Sequence, residues 1–254
     1  MKIITTQPSK PPRLVLYGEH KIGKSSFAAA SIKPIFIQTE DGLDQLHVQA
    51  FEQAKTFQDV IDAMRFLIET EHEFKTLVVD SLDWLERLLW DKVVLDYNHF
   101  ENASAKQIGD IPYGGGYKAA LNLWRQFLRG LDLINQNKKM MVILLAHSKI
   151  VKFEDPTRQN YDRYDLDLHE KAAGLIYQWS DIIGFANEKI IVSEKKEGFG
   201  STVKAKDTGT RMLNLNKRAA YEAGNRYNLP DMELDFGKFW EALKPSLISK
   251  KEEK

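Results

Sequence analysis

The sequence has 254 residues, of which 43% are hydrophobic and 28% are charged, a length and composition typical of one globular α/β domain with a large core. Lysine plus arginine and aspartate plus glutamate each number 36, so overall charge gives no attraction to nucleic acid, and any such site must come from local clustering. The chain contains no cysteine, which excludes disulfide bridges and thiolate metal sites.

No segment of the sequence has the pattern of a membrane span or a signal peptide. The longest apolar run, residues 140–146, is far shorter than the ~18 residues that a span needs. Residues 1–12 are polar, end in two prolines and lack a signal-type apolar core. We therefore expect a cytoplasmic protein with no membrane partner.

The first apolar run leads directly into a phosphate-binding pattern. Residues 14–17 read as a strand, and G-x-x-x-x-G-K-S follows from Gly18 to Ser25, before a helical run. The two glycines let the loop turn its backbone N–H groups inward around an anion. Lys24 would reach the β- and γ-phosphates of ATP, and the Ser25 hydroxyl would bind Mg²⁺. The predicted nucleotide contacts are Gly18, Glu19, His20, Lys21, Ile22, Gly23, Lys24, Ser25 and Ser26.

Strand and helix patterns alternate along the rest of the chain. Strands are predicted at residues 34–37, 77–80 and 140–146, and helices at 57–70, 82–97, 117–137, 169–179 and 236–247. Residues 102–116 and 148–168 read as polar connecting stretches, and His147 is expected to end the third of these strands. Two β-rich segments, 181–193 and 210–216, flank a glycine-rich, hairpin-like loop at 198–209.

This alternation predicts an α/β fold with a mainly parallel central sheet flanked by helices, plus a β-rich C-terminal portion. We divide the chain into an extended lead-in at 1–12, a single domain at 13–248 and a charged tail at 249–254. Ligands of such sheets bind at the carboxyl ends of the strands. We expect every candidate site residue to lie at such an end.

Asp80 closes the strand before it and is the predicted second Mg²⁺ residue. It would hold the metal through water, while Ser25 binds the ion directly. Two alternatives remain open. Asp80 could instead cap the following helix, and Asp83 could replace it if the strand register differs.

Two further polar residues follow predicted strands. Glu40 could polarise the water that attacks the γ-phosphate, or it could be a turn residue in Glu-Asp-Gly. His147 ends the strand expected beside the P-loop strand, and could sense the γ-phosphate or be a structural histidine.

The order of these patterns resembles that of RecA-like P-loop ATPases. More narrowly, it resembles phage nucleotide-binding proteins described as core-only RecA-like recombination ATPases of single-strand annealing systems. The resemblance spans residues 13–240 and rests on segments 18–25, 38–42, 77–81 and 144–147, with further similarity at 113–117 and 225–230.

The resemblance implies an Mg-ATP hydrolase that acts in phage-type DNA recombination or single-strand annealing. It assigns catalytic roles to Glu40, Lys24, His147 and Arg226. Protomers would pack head to tail in a filament or ring, so that Arg226 completes a neighbour's ATP site as an arginine finger. Members of that family tend to carry a lysine at the position of Gly224, and Arg218 is an assisting candidate.

The same resemblance implies single-stranded DNA as a partner, together with a single-strand-binding or replication protein, in the host cytoplasm if the chain is phage-encoded. DNA contacts would come from residues 102–116 and 148–168. The basic segment 189–218 could line a DNA groove or a protomer interface, or be a solvated hairpin. Because segment 148–168 is also acidic, a nucleotide-gated interaction module in replication or packaging stays open. A third interpretation is a P-loop kinase, although acids interspersed with Arg158 and Arg163 disfavour an arginine-rich lid there.

Overall fold

The computed structural model describes residues 10–154, 159–197 and 200–247; within 190–207 it describes the backbone only. Most of the predicted lead-in, the whole of the charged tail, and Arg158 lie outside these residues. None of the described helices is both long and apolar enough to cross a membrane.

The described chain alternates strands and helices over most of its length. The strands are β1 (Arg13–Gly18), β2 (Pro34–Gln38), β3 (Gln49–Ala50), β4 (Thr76–Asp80), β5 (Met141–Phe153), β6 (Tyr161–Leu166), β7 (Ile182–Glu197), β8 (Gly200–Asn214), β9 (Gly224–Asn225) and β10 (Met232–Glu233). The helices are α1 (Lys24–Ala29), α2 (Phe57–Glu69), α3 (Leu82–Glu101), α4 (Gly115–Asn137), α5 (Glu170–Trp179) and α6 (Phe236–Leu247).

The strands form a central sheet in the order β10-β8-β7-β1-β5-β4-β2-β3. Pairing is parallel from β7 through β1, β5, β4 and β2 to β3, and antiparallel where β8, β9 and β10 join. This confirms the predicted α/β class, with its mainly parallel sheet flanked by helices. Because β1, β5, β4 and β2 share one direction, their carboxyl ends meet along one edge, called here the carboxyl edge.

Both faces of the sheet are covered, which explains why its central strands are continuously apolar. Successive side chains of β1 alternate between two cores. Val15 and Tyr17 join a cluster with α2, α3, α4 and α5, whereas Leu14 and Leu16 join a second cluster with α1 and α6. The P-loop strand is therefore fixed from both sides.

The predicted end of the β5 strand at His147 is wrong. The strand continues to Phe153 and forms an antiparallel hairpin with β6, in which Ser148 pairs with Leu166. In the outer part of the strand Ile150 and Lys152 are exposed while Val151 and Phe153 are half-buried, an arrangement that suits a strand with one exposed face. The β7 strand likewise extends to Glu197, and β8 begins at Gly200. Most of the segment predicted as a loop, 198–209, therefore belongs to β8.

Candidate nucleotide site

The P-loop occupies the carboxyl edge at the centre of the sheet. It begins where β1 ends and leads into α1, whose N-cap Gly23 has φ 105°, a left-handed conformation that favours glycine. A Cβ at Gly18 would lie 2.3 Å from the carbonyl oxygen of Ala186 on β7. Both glycines of the motif are thus required, one by conformation and one by close packing.

Lys24 lies inside this loop and is only 6% exposed. Its Nζ donates hydrogen bonds to the carbonyl oxygens of Gly18 at 3.0 Å and Glu19 at 2.7 Å. Burial lowers the pKa of Lys24, although nearby acids, Asp80 first among them, oppose that change. A desolvated cation at this position interacts with a phosphate more strongly than a surface lysine would.

Ser25 and Asp80 meet beneath the loop. The Ser25 hydroxyl donates to Asp80 Oδ2 at 2.6 Å. Burial raises the pKa of Asp80, against the opposing effects of the Ser25 hydrogen bond and the Lys24 charge. The helix N-cap alternative does not hold for Asp80, because the N-cap of α3 is Ser81.

The hydroxyl and carboxylate fit Mg²⁺ by the chemistry of their donors. Both are hard oxygen ligands, and Mg²⁺ is commonly held by one or two protein oxygens together with phosphates and water. Among the described residues there is no group of three or more His, Cys, Asp or Glu side chains that could enclose a metal by itself. A metal at Ser25 and Asp80 would therefore depend on a bound phosphate for its remaining ligands.

Asp83 lies in the first turn of α3 and contacts His147 instead of Ser25. Its carboxylate accepts a hydrogen bond from the His147 backbone N–H at 3.1 Å, and His147 Nδ1 lies 3.0 Å from Oδ2. Burial would raise the pKa of Asp83, but the bonds from His147 outweigh it and hold that pKa below its ordinary value. Asp83 thus fixes the orientation of His147.

His147 also stacks on a residue of the P-loop. Its ring centroid lies 3.9 Å from that of His20, with 26° between the ring planes. The charge of His147, together with burial, lowers the pKa of His20. The sequence placed both residues near the phosphates, but the stacking between them was not predicted.

Glu40 follows β2 and is half-buried at the same edge. Burial raises its pKa, although the charge of His147 opposes the change. Glu40, Asp80 and His147 line one cavity of about 250 Å³ together with Lys24 and Ser25. The structure therefore brings together five sequence-predicted residues from four separate segments.

Arg226 is not at this edge, and the expectation that every candidate lies at a carboxyl end is wrong for it. The adjoining strand β9 pairs with Ile182 and Ile183 at the beginning of β7, at the opposite, amino edge of the sheet. Arg226 Nη1 lies 3.2 Å from Asp181 Oδ1. Arg218 is also away from the cavity, with Nη2 donating to Asp231 at 3.1 Å.

Arg211 also lines the cavity, although the sequence placed it only in the basic segment 189–218 and not at the nucleotide site. It belongs to β8, and the sequence signal that could have indicated it is its spacing of two from Leu213. That spacing gives the two side chains the same face of the strand. The register of β8 against β7 was needed to place this face beside the P-loop.

The sequence model of the AAA domain family matches residues 10–227. The chain belongs to this AAA domain family. No curated protein sequence matches it. Membership indicates a P-loop NTPase and a nucleotide-binding ATPase domain, in agreement with the geometry at Lys24 and Ser25.

Proposed function

We propose that this AAA domain protein binds Mg-ATP in the cavity at the carboxyl edge and hydrolyses it. The observation that carries the proposal is the 2.6 Å hydrogen bond between Ser25 and Asp80, directly below the buried Lys24. A hydroxyl and an acid at this separation provide the two protein oxygens that a metal-triphosphate needs.

The remaining residues then have separate roles. Bound Mg²⁺ would neutralise charge that develops on the phosphates. Lys24 contributes a fixed positive charge at the same oxygens. Glu40, in its ionised form, orients the attacking water and accepts its proton. Because burial raises the pKa of Glu40, this role requires a higher pH than an exposed glutamate would.

His147 is suited to report the state of the nucleotide. Asp83 holds its ring, and β5 continues without interruption from His147 into the β5–β6 hairpin. A contact between His147 and the γ-phosphate would therefore act on a strand that leaves the site. We propose that this hairpin is the element that changes with hydrolysis.

Phosphate release with and without single-stranded DNA tests the proposed function. We propose action in phage-type recombination or strand annealing, supported by the order of motifs between residues 13 and 240. Added single-stranded DNA should then change the hydrolysis rate or the assembly of the protein, with a steep dependence on salt. If DNA leaves the hydrolysis rate unchanged, the proposed ATPase activity stands and the proposed recombination role is wrong.

Arg226 provides a test of head-to-tail packing. Its position at the amino edge keeps it away from the P-loop of its own chain, as a residue that acts on a neighbour requires. Arg226→Ala and Lys24→Ala should each be inactive alone. Mixed assemblies should regain turnover, because a Lys24→Ala protomer can supply Arg226 to an intact P-loop. Failure to regain turnover would contradict this role.

The nucleotide-gated interaction module remains a second candidate, and one observation favours it. One basic residue of the β5–β6 hairpin is already paired: Arg163 Nη2 lies 3.0 Å from Asp165 Oδ2 and Nη1 lies 3.4 Å from Glu222. Paired cations release fewer counterions on a DNA backbone. ATP-dependent capture of a replication protein, without salt-sensitive DNA binding, would support this candidate.

The proposal treats residues 13–248 as one ATPase domain located in the cytoplasm. Electron microscopy with a non-hydrolysable ATP analogue, with and without single-stranded DNA, tests whether this domain forms filaments or rings. Assembly that needs both ligands would support the recombination role, and assembly with nucleotide alone would favour the interaction module.

A further inference from the structure

The β7–β8 hairpin projects past the carboxyl edge beside the P-loop. Gly18 at the end of β1 pairs in register with Ala186, which in turn pairs with Leu213 of β8. Because β8 runs antiparallel to β7, Arg211 lies two residues beyond the level of Gly18. This part of β8 therefore stands above the loop that holds the phosphates.

The alternation of side chains turns Arg211 toward the loop. Leu213 is fully buried in the core cluster that contains Ile22 of the P-loop and Phe27 of α1. Residues two apart on a strand share a face, so Arg211 projects on that same side. Its backbone carbonyl accepts a hydrogen bond from Leu234 at 2.9 Å, which fixes β8 from its other edge.

The guanidinium lies against the P-loop backbone. A Cβ added to Gly23 would be 3.0 Å from Arg211 Nη1, and Arg211 lines the same cavity as Lys24, Ser25 and Asp80. Among the residues whose side chains are described, no acid forms an ion pair with Arg211. Arg13, Arg163, Arg218 and Arg226, by contrast, all have carboxylate partners.

We propose that Arg211 is a nucleotide-binding residue that contacts the phosphate groups of the nucleotide held by the P-loop of its own chain. The planar guanidinium presents paired N–H donors that match two phosphate oxygens. Its place beside Gly23 allows this contact in the same protomer, in contrast to the role proposed for Arg226. The inference rests on the proposed nucleotide site and adds a residue to it.

Calorimetric titration with Mg-ADP and with a non-hydrolysable Mg-ATP analogue tests this assignment without relying on turnover. Arg211→Ala should weaken binding of both by on the order of 10- to 100-fold, the range expected for a charged hydrogen-bonding partner. Arg211→Lys should recover part of the loss, because it restores charge without the paired donors. Inorganic pyrophosphate should show the same ranking, since the contact is to phosphate.

Arg65→Ala is the matched control, because Arg65 is exposed on α2 and paired with Asp62 away from the cavity. It should bind nucleotide like the unmodified protein. If Lys24→Ala loses binding while Arg211→Ala keeps it, the role of Arg211 is wrong and the P-loop site stands. If the unmodified protein binds none of these ligands, both proposals fall together.

Mixed samples distinguish action within a chain from action between chains. A mixture of Arg211→Ala and Lys24→Ala should show no gain in Mg-ADP affinity over the separate variants, because no protomer carries both side chains. Restored tight binding would mean that Arg211 acts on a neighbour, and would overturn the same-chain assignment. Unliganded thermal midpoints check that the exposed Arg211 can be replaced without loss of folding.

Discussion

The two edges of the parallel sheet carry similar charged side chains but pair them differently. At the amino edge, Asp181 accepts hydrogen bonds from Arg13 Nε and Nη2, both at 3.0 Å, and contacts Arg226 at 3.2 Å. Arg13 also reaches Asp132 at 3.1 Å. Both of these arginines have carboxylate partners, as in a structural ion-pair network.

At the carboxyl edge the charges are more buried and less completely paired. Lys24 is held by two carbonyl oxygens, and Asp80 by a single hydroxyl. Among the described residues no acid lies within ion-pair distance of Lys24. Groups that are desolvated without a full partner gain most from a ligand of opposite charge. The contrast separates an edge whose arginines are held by ion pairs from an edge suited to bind a nucleotide of the same chain.

The largest expected effect comes from Lys24→Ala. Removal of the buried ammonium should reduce Mg-ATP affinity by on the order of 100-fold or more, because a charge-assisted contact to the phosphates is lost. Titration calorimetry measures this loss. Lys33→Ala is the control, since Lys33 is exposed and paired with Glu73. Equal binding by both variants would contradict the assignment of the site.

Glu40→Gln should separate binding from turnover. We expect nucleotide affinity to be retained and the hydrolysis rate to fall by on the order of 100-fold or more, as for loss of a general base. Because burial raises the pKa of Glu40, activity of the unmodified protein should decline on acidification at a higher pH than for an ordinary glutamate. Retained turnover in the variant would remove Glu40 from the mechanism.

The sequence predicted which residues lie at the carboxyl edge where each of them directly follows a strand. Glu40, Asp80 and His147 could be placed because parallel strands bring their carboxyl ends together. Contacts between segments were not accessible in the same way. The stacking of His20 on His147 and the position of Arg211 depend on how separate elements pack, and no local pattern encodes either distance.

The errors in prediction have a common physical origin in short or polar strands. β9 has two residues, too few to show a period, and its pairing with β7 places Arg226 at the amino edge. The outer part of β5 is half-exposed and polar, so it lacked the apolar run that marks a buried strand. Both elements form because they pair with a neighbouring strand, and the periodicity of a sequence does not show such pairing.

Glu86→Gln tests the effect of a buried, incompletely paired carboxyl group on α3. Glu86 is 4% exposed and accepts a hydrogen bond from the His169 N–H at 2.8 Å, and burial raises its pKa to about 7. Between about pH 4.5 and 7 the unfolded chain loses this proton while the folded chain keeps it. Folding stability therefore falls as pH rises through that window, by up to about 3 kcal/mol.

Denaturant unfolding at pH 5 and pH 8 measures this effect. The glutamine variant should lose most of the pH dependence over the window, and should be more stable than the unmodified protein at pH 8. Glu73→Gln, at an exposed position, should leave the pH dependence unchanged. If stability depends on pH equally in the Glu86→Gln variant and the unmodified protein, the Glu86 carboxyl ionises in the folded protein as it does in the unfolded chain.

Asp181→Asn should have the smallest effect and should act on stability, not on nucleotide affinity. It weakens the contacts to Arg13 and Arg226, which are partly exposed, so we expect a loss of about 1–2 kcal/mol by denaturant unfolding. Mg-ATP affinity should not change, because the replaced carboxylate lies at the far edge of the sheet. Energetic effects of distant sites add, so combining Asp181→Asn with Lys24→Ala should give the sum of the two separate effects. A cooperative result would mean that the two edges are coupled through the strands that join them.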